Sequence, residues 1–93
     1  MTQSAPQAES LENRKKRLKF RSWHRGTREM DLLLGSFADQ NIQSFGDVEL
    51  ELYERLLENN DPDLYNWITG KEQPPETEKN QVLTLLLAHR FAT

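Results

Sequence analysis

The sequence lacks cysteine altogether and has no long apolar run. Without cysteine it can form neither a disulfide nor a thiolate metal site, which favours a reducing compartment. Its most apolar stretch, Leu83 to Ala88, is interrupted by Thr84 and falls far below the roughly 20 residues that a membrane-spanning helix needs. The first ten residues contain no Lys, no Arg and no apolar segment, so neither a secretory signal nor a transit peptide is predicted. We therefore expect a soluble, cytoplasmic protein that does not contact membranes.

Residue patterns for catalysis and for cofactor binding are also missing. The two histidines, His24 and His89, are far apart and belong to no H-E-x-x-H motif, and no glycine-rich phosphate loop or G-x-S-x-G elbow occurs. Asp61 and Asp63 have the first spacing of a calcium loop, but Pro62 lies between them, so a helix cap is the preferred interpretation. The sequence predicts no catalytic residue, no metal site and no stably bound cofactor, and it disfavours an enzyme.

The charges are distributed unevenly along the chain. The 93 residues include 35% hydrophobic and 29% charged side chains, which limits them to one small domain with a modest core. Residues 1–28 hold eight Lys and Arg against two Glu, a net +6, whereas residues 29–93 hold thirteen Asp and Glu against four Lys and Arg, a net −9. Together these give the overall −3, and so dipolar a chain suggests a partner with a matched surface.

Helical periodicity and capping residues predict an all-α fold, a compact five-helix bundle, with no strand. Residues 1–10 are polar and aperiodic and are predicted to be a disordered tail, and residues 11–93 a single helical domain. The five helices are predicted at Leu11 to Trp23, from the cap Thr27 to Ala38, from the cap Asp47 to about Glu58, from the cap Asp61 to Gly70, and at about Glu76 to Arg90.

Apolar residues at helical spacing give each predicted helix a face toward a common core. The loop predicted over residues 39–46 contributes two anchors, Ile42 and Phe45. The predicted core residues, in helix order, are Leu11, Leu18, Phe20 and Trp23 in a thin first stripe; Met30, Leu33, Leu34, Phe37 and Ala38; Leu52, Tyr53, Leu56 and Leu57; and Leu64, Trp67 and Ile68. The fifth predicted helix carries Val82, Leu83, Leu85, Leu86, Leu87 and His89.

The connection between the first two predicted helices, Arg25-Gly26-Thr27-Arg28-Glu29, concentrates unusual chemistry. Local physics accounts for each residue type, because Arg25 suits a helix C-terminus, Gly26 a left-handed residue after the last turn, and Glu29 the positive start of the next helix. It does not explain why cations, an imidazole, a tryptophan and a carboxylate should gather at one end of the bundle. Such a corner is rigid and polar, and is well placed for recognition.

Three segments around this turn resemble the SdhE family, which comprises the bacterial SdhE proteins and the mitochondrial succinate dehydrogenase assembly factor. The family's hallmark, Arg-Gly-x-x-Glu, corresponds here to Arg25, Gly26 and Glu29. The resemblance covers roughly residues 17–70 and is specific because the hallmark is followed by two further matching blocks. The segments are Trp23-His24-Arg25-Gly26-Thr27-Arg28-Glu29-Met30-Asp31-Leu32-Leu33-Leu34, Tyr53-Glu54-Arg55-Leu56-Leu57-Glu58 and Asp61-Pro62-Asp63-Leu64-Tyr65-Asn66-Trp67-Ile68.

The resemblance implies a five-helix chaperone in the bacterial cytoplasm, not an enzyme. It would bind the flavoprotein subunit of succinate dehydrogenase, and in some bacteria that of fumarate reductase, and promote covalent attachment of FAD to a histidine of that subunit. FAD would belong to the partner, with none bound stably by this chain. Free of its partner, the chain is expected to be a monomer with no nucleic acid or membrane bound.

The resemblance also implies that the turn is the partner-binding site. In this hypothesis Arg25 forms paired hydrogen bonds to a carboxylate of the partner, Gly26 lets the two backbones approach, and Glu29 engages a cation or polar group. His24 and Arg28 are candidates for the rim of the interface.

Three residues within the matching segments are interpreted structurally. Trp23 is either an interface anchor or a core residue, with core favoured, and Asp61 and Trp67 are assigned to capping and packing.

The basic N-terminal segment supports an alternative. Residues 14–25 mix cations with aromatic side chains, as nucleic-acid readers do, so the chain could be a small nucleic-acid-binding or adaptor protein. Against this, no named nucleic-acid motif is present, and the thirteen carboxylates of the other helices would repel phosphate.

Overall fold

The computed structural model describes residues 9–89, which fold into five α-helices with no β-strand among them. The helices are α1 (Leu11–Trp23), α2 (Arg28–Asn41), α3 (Asp47–Leu57), α4 (Asp61–Ile68) and α5 (Gln81–Ala88). Two short 3-10 turns, Ile42–Ser44 and Glu76–Glu78, precede α3 and α5. The all-α, five-helix prediction is confirmed for this part of the chain. Residues 1–8 of the predicted tail and the helix end predicted at Arg90 lie outside the described residues.

Helix α1 has the predicted bounds, but its buried face differs from the predicted stripe. Leu11 and Phe20 are exposed, at 41% and 63% of their surface, so their assignment to the core is wrong. The buried positions are Lys15, Leu18 and Ser22, at i, i+3 and i+7. Two of these three residues are polar, so the pattern of apolar residues does not reveal the buried face of α1.

Each buried polar group on α1 has a partner. The Lys15 ammonium donates to the carbonyl of Gln43 at 2.8 Å, which ties α1 to the 3-10 turn after α2. The Ser22 hydroxyl donates to the carbonyl of Leu18 at 2.8 Å and shares a 2.5 Å hydrogen bond with the Tyr53 hydroxyl. Burial raises the pKa of Tyr53 to about 12, so the phenol stays neutral in the core. The polar groups buried where α1 meets α3 are therefore hydrogen-bonded to each other and to the backbone.

Helix α2 begins as predicted. The Thr27 hydroxyl oxygen accepts from the Met30 N–H at 3.2 Å. Met30 and the predicted apolar positions that follow it are buried, except that Leu33 is half-buried.

The loop predicted over residues 39–46 is wrong over most of its length. Helix α2 continues to Asn41, where the side-chain amide donates to the carbonyl of Phe37 at 3.0 Å, and the 3-10 turn follows directly. The two predicted anchors are confirmed, since Ile42 is 1% and Phe45 4% exposed. Because both side chains are buried in the core, this segment is compact and does not form an extended loop.

The caps predicted at Asp47 and Asp61 are wrong by one residue, because both aspartates are already the first helical residue. The cap of α4 is Asn60, whose side-chain oxygen accepts from the N–H of Asp63 at 2.9 Å. The cap of α3 is Gly46, whose own N–H donates to a first-turn carboxylate at 3.0 Å. Asparagine and aspartate cap helices about equally well, so sequence alone does not choose between neighbours. Asp61 is thereby left free to bond elsewhere.

The predicted fifth helix is wrong at its start. Glu76–Glu78 forms only a 3-10 turn, and Lys79 is extended, with φ −73° and ψ 127°. The Asn80 side-chain oxygen then accepts from the N–H groups of Val82 and Leu83 at 2.8 and 2.9 Å. This cap starts α5 afresh, so the chain forms a short turn and a shorter helix in place of one long helix.

Helix α4 is terminated by Gly70 as predicted, although its last helical residue is Ile68. Gly70 has φ +80°, its N–H donates to the carbonyl of Trp67 at 3.2 Å, and the N–H of Lys71 reaches back to Asn66 at 2.8 Å. This pair of bonds is a Schellman motif, which needs a left-handed residue.

The core centres on Phe37 and Tyr53, whose ring centroids are 5.5 Å apart. Helices α1 and α2 pack along each other, and α3 packs against both α1 and α5. The connection between α1 and α2 therefore lies at the end of a helical hairpin. The other large side chains that are almost fully buried are Leu18, Leu34, Ile42, Leu50, Leu56, Leu64, Val82, Leu83 and Leu86. Trp67 is 7% exposed, as its assignment to packing predicted.

Candidate functional site

The connection between α1 and α2 and the first two residues of α2, together His24–Glu29, are called the interhelix turn from here on. Helix α1 ends at Trp23, and Gly26 adopts φ +117°, a region that side chains other than glycine enter only with strain. The prediction that Gly26 has a positive φ after the end of the first helix is confirmed. A Cβ at position 26 would meet nothing within 4 Å, so glycine is needed for backbone conformation and not for space.

The carboxylate of Asp31 holds the turn from the side of α2. Its Oδ1 accepts from the backbone N–H groups of both Arg25 and Gly26, the latter at 3.3 Å. Asp31 lies in the first turn of α2, where the helix dipole favours a negative charge. The backbone of the turn is therefore fixed at two successive N–H groups.

The side chain of Arg25 holds the turn from the opposite side. Its Nε donates to Asp61 Oδ1 at 2.9 Å, and its two terminal nitrogens donate to the carbonyls of Leu57 and Asn59, each at 2.8 Å. A terminal nitrogen also lies 2.9 Å from Asp61 Oδ1 in an ion pair, and the Arg25 side chain is only 11% exposed. Because a cation is favourable at a helix C-terminus, this guanidinium stabilises the end of α3 as well as joining it to α4.

This arrangement gives Arg25 an internal role that sequence reasoning missed. The sequence predicts that Arg25 bonds a carboxylate, but the structure supplies that carboxylate from the same chain, Asp61. No local pattern reveals the pair, since its members are 36 residues apart. Contact of Arg25 with another protein stays a prediction, and the observed contacts make it a residue that positions the turn.

The remaining residues of the turn face outward. His24, Gly26, Arg28 and Glu29 are exposed, and within residues 9–89 neither Arg28 nor Glu29 forms an ion pair or a side-chain hydrogen bond. A shallow groove of about 600 Å³ opens beside them. It is lined by Trp23, His24, Gly26, Thr27, Arg28, Asp31 and Leu32.

Trp23 forms the wall between this groove and the α1–α2 contact. Its ring lies against Gly35 so closely that a Cβ at position 35 would be 2.2 Å from a ring carbon. The indole N–H donates to Asp39 at 3.2 Å, and the side chain is half-buried. Trp23 is therefore a packing residue on one face and a groove residue on the other. Gly35 was missed by sequence reasoning, although a glycine inside a helix, where it costs about 1 kcal/mol, is a signal of close packing.

Most of the positive charge on α1 is neutralised within the protein. Glu54 on α3 accepts from Arg14 at 3.3 Å and from Arg17 at 3.1 Å, and Arg21 lies 3.9 Å away. Partial burial raises the pKa of Glu54, but the bonds and charges of Arg17 and Arg14 outweigh it, so the pKa lies below its ordinary value. The carboxylate of Glu9 pairs with Arg17 as well. Arginines used in this way are not available to phosphate, so nucleic-acid binding is not favoured.

Residues 9–89 offer neither a metal site nor a membrane span. No group of three or more histidine, aspartate or glutamate side chains is arranged to hold a metal ion there. No helix in that part of the chain is long and apolar enough to cross a membrane.

The fold and the turn together define a class: a small all-α protein that presents its distinctive polar chemistry on an open, rigid turn. A family described as the flavinator of succinate dehydrogenase matches residues 16–90. The chain belongs to this family, which confirms the resemblance noted for the Arg25, Gly26 and Glu29 hallmark.

Individual relatives agree with the family match. The succinate dehydrogenase assembly factor 2 of Dictyostelium discoideum mitochondria is 43% identical over 79 residues, covering 85% of this chain and 56% of that protein. The mitochondrial assembly factor 2-B of Drosophila mojavensis is 40% identical over 83 residues, covering 87% of this chain and 53% of that protein. The FAD assembly factor SdhE of Acetobacter pasteurianus is 40% identical over 75 residues, covering 81% and 69%. The chain thus spans about half the length of the mitochondrial relatives.

Proposed function

We propose that this protein is an assembly factor that binds the flavoprotein subunit of succinate dehydrogenase and promotes the covalent attachment of FAD to it. Family membership and the names of the relatives support this proposal. The flavoprotein subunit of a fumarate reductase is a second partner in cells that make one. The protein acts in the cytoplasm as a monomeric helper that holds no FAD of its own.

The observation that carries the proposal is the rigid, outward-facing turn. The bonds from Arg25 and Asp31 fix its backbone, while Arg28 and Glu29 remain exposed and unpaired among the described residues. Preorganised groups lose little freedom on binding, so they can hold a partner in one conformation at low entropic cost. Gly26 adds a point where the backbone of a partner can approach closely.

Such a helper would act by positioning. Covalent flavinylation needs the histidine nitrogen and the flavin methyl carbon to be aligned, and negative charge on the flavin ring to be stabilised. The helper contributes none of the reacting atoms. It stabilises the conformer of the flavoprotein in which they are aligned, through His24, Gly26, Arg28 and Glu29, with Arg25 holding the turn in place.

Deletion of the gene tests this function in the cell. Extracts of the deletion strain are run on a denaturing gel, and covalent flavin on the flavoprotein is scored by its fluorescence. We expect the flavin signal to be lost, although the flavoprotein polypeptide is still present, and to return with the wild-type gene. Normal flavin fluorescence in the deletion strain would refute the proposal.

A further inference from the structure

An exposed aromatic pair joins the last turn of α1 to the interhelix turn. The ring of Phe20 is stacked on the imidazole of His24, with centroids 3.9 Å apart and planes 19° from parallel. His24 Nδ1 also lies 2.7 Å from the carbonyl oxygen of Phe20. Phe20 is nevertheless 63% exposed. The hydrogen bond orients the imidazole, and the stack then holds the Phe20 ring against it while most of the Phe20 surface faces solvent, an arrangement suited to a preformed binding anchor.

This pair is part of a ridge that runs along α1. Lys16, Phe20 and His24 are spaced i, i+4 and i+8, so they follow one another on one side of the helix. We call these three residues the α1 ridge. Lys16 is exposed and forms no ion pair within residues 9–89, whereas Arg14 and Arg17 pair with Glu54. The ridge therefore carries an unneutralised cation beside an exposed aromatic ring.

The α1 ridge is continuous with the groove of the interhelix turn. His24 belongs to both, since it lines the groove together with Arg28 and stacks on Phe20. Phe20 does not itself line the groove but is joined to it through His24, whereas other exposed apolar side chains, such as Val48 and Leu85, have no groove residue stacked on them. Isolated apolar side chains are ordinary on protein surfaces, but one joined to a recognition site is not.

Interface size supplies a second argument. A stable protein interface buries about 800 Å² on each partner and involves roughly 20 residues a side. The six residues His24–Glu29 are too few for that area, so a partner that binds the turn must also cover neighbouring surface. Aromatic side chains and arginine usually dominate the energy of such interfaces.

We propose that the α1 ridge is the second half of the docking surface, and that the flavoprotein which binds the interhelix turn also covers it. Phe20 is the anchor and enters an apolar pocket of the partner. Lys16 and Arg28 flank that pocket and face carboxylates at its edge. This inference rests on the proposed function and adds to it the chemistry of the partner surface: an apolar pocket with an acidic rim.

Binding of the full chain to the purified flavin-free flavoprotein subunit tests the inference by calorimetry. We expect Phe20→Ala to weaken binding about tenfold or more, as loss of an interface anchor does, and Phe20→Leu, which keeps a large apolar side chain, to weaken it less. Val48→Ala is the matched control, because Val48 is 66% exposed on α3, and its affinity should be unchanged. Circular dichroism and melting of each variant should match wild type, since the substituted side chains are exposed.

The charged part of the surface is tested in the same way. Lys16→Glu should weaken binding, and the loss should shrink at high salt because exposed charges are screened. Arg55→Glu is the control, since the Arg55 side chain is 72% exposed on α3. Equal weakening by both variants would show a general charge effect and would overturn the acidic rim.

The remaining outcomes separate this inference from the proposed function. If Phe20→Ala binds within about twofold of wild type while Glu29→Ala binds poorly, the α1 ridge is not part of the surface and the proposed function stands. If wild type itself does not bind the flavoprotein, both are refuted. A single-stranded oligonucleotide is titrated in parallel, because exposed aromatics also stack on bases. Loss of oligonucleotide binding with intact flavoprotein binding in Phe20→Ala would overturn the proposal in favour of nucleic acid.

Discussion

The guanidinium of Arg25 and the carboxylate of Asp61 form an ion pair at 2.9 Å that joins the interhelix turn to the start of α4. The same guanidinium bonds the carbonyls of Leu57 and Asn59 at the end of α3. One side chain thus connects the turn with two other helices. The hallmark arginine of the family acts here first as an internal clamp, and the exposed residues next to it form the surface offered to a partner.

Loss of this clamp should reduce stability as well as function. Arg25→Ala leaves two carbonyls and a carboxylate without their donor, and we expect the free energy of unfolding to fall by about 2 to 3 kcal/mol. Urea denaturation followed by circular dichroism measures it. Arg55→Ala is the control, since Arg55 forms only an exposed pair with Glu51, and it should change stability by less than about 0.5 kcal/mol. Equal stabilities of Arg25→Ala and wild type would contradict an internal role for Arg25.

The two glycines with positive φ provide a matched pair of variants. Gly26 and Gly70 have φ +117° and +80°, and a Cβ at either position meets nothing within 4 Å. Replacing either by alanine should cost about 1 to 2 kcal/mol through backbone strain alone. We expect both Gly26→Ala and Gly70→Ala to lower the melting temperature, but only Gly26→Ala to reduce flavin attachment to the partner. If the two variants lose flavinylation equally, the loss reflects stability, and Gly26 has no special place in the interface.

The packing of Trp23 on Gly35 predicts that a smaller residue at position 23 restores stability lost by a larger residue at position 35. Gly35→Ala places a methyl group 2.2 Å from the indole ring, so the ring or helix must move, at a cost of about 1 to 3 kcal/mol. In the Gly35→Ala background, Trp23→Leu should restore part of the lost stability because it removes the obstacle. In the wild-type background the same Trp23→Leu change should destabilise. Additive effects of the two substitutions in thermal melts would show that the ring and the helix are not in contact.

The pKa of Glu54 predicts a dependence of stability on pH. Because the folded protein holds this pKa below its ordinary value, the carboxylate contributes stability above the unfolded pKa, and the contribution disappears as pH falls through the folded pKa. Glu54→Gln should therefore be less stable than wild type by about 1 kcal/mol at pH 7, and the two should converge below about pH 4. Glu51→Gln is the control, with an exposed pair on the same helix. A difference that persists undiminished at pH 3 would show that charge is not its cause.

Much of the fold follows from sequence pattern, and the departures have physical causes. The helix count, the bounds of α1 and the core face of α2 depend on local periodicity and capping, which sequence displays directly. The start of α5 was missed because the Asn80 side chain accepts from the N–H groups of Val82 and Leu83, so that the helix begins only after Asn80. The buried face of α1 was missed because Lys15 and Ser22 are satisfied by partners on other elements, which no local rule reveals.

In the candidate site too, some features follow from the sequence and others depend on contacts between distant residues. The turn was located from its residue types, and the positive φ of Gly26 follows from sequence. The clamp was not predictable, because the capping preference of an aspartate before a proline obscured the pairing of Asp61 with Arg25. The stack of Phe20 on His24 was missed for a related reason: in sequence, Phe20 belongs to an apolar stripe, and only the orientation of α1 shows that it faces solvent.

The measurement that tests the central claim most directly is reconstitution of flavin attachment from purified components. The flavin-free flavoprotein and FAD are incubated with wild type, with Glu29→Ala or with Glu72→Ala, and covalent flavin is read by fluorescence in a denaturing gel. Glu29 and Glu72 are both exposed carboxylates without an ion pair in residues 9–89, and only Glu29 lies in the interhelix turn. We predict that Glu72→Ala supports attachment as wild type does, whereas Glu29→Ala slows it about tenfold or more while losing less than about 1 kcal/mol of stability. Equal attachment with all three proteins would contradict the claim that this turn is where the protein engages its partner.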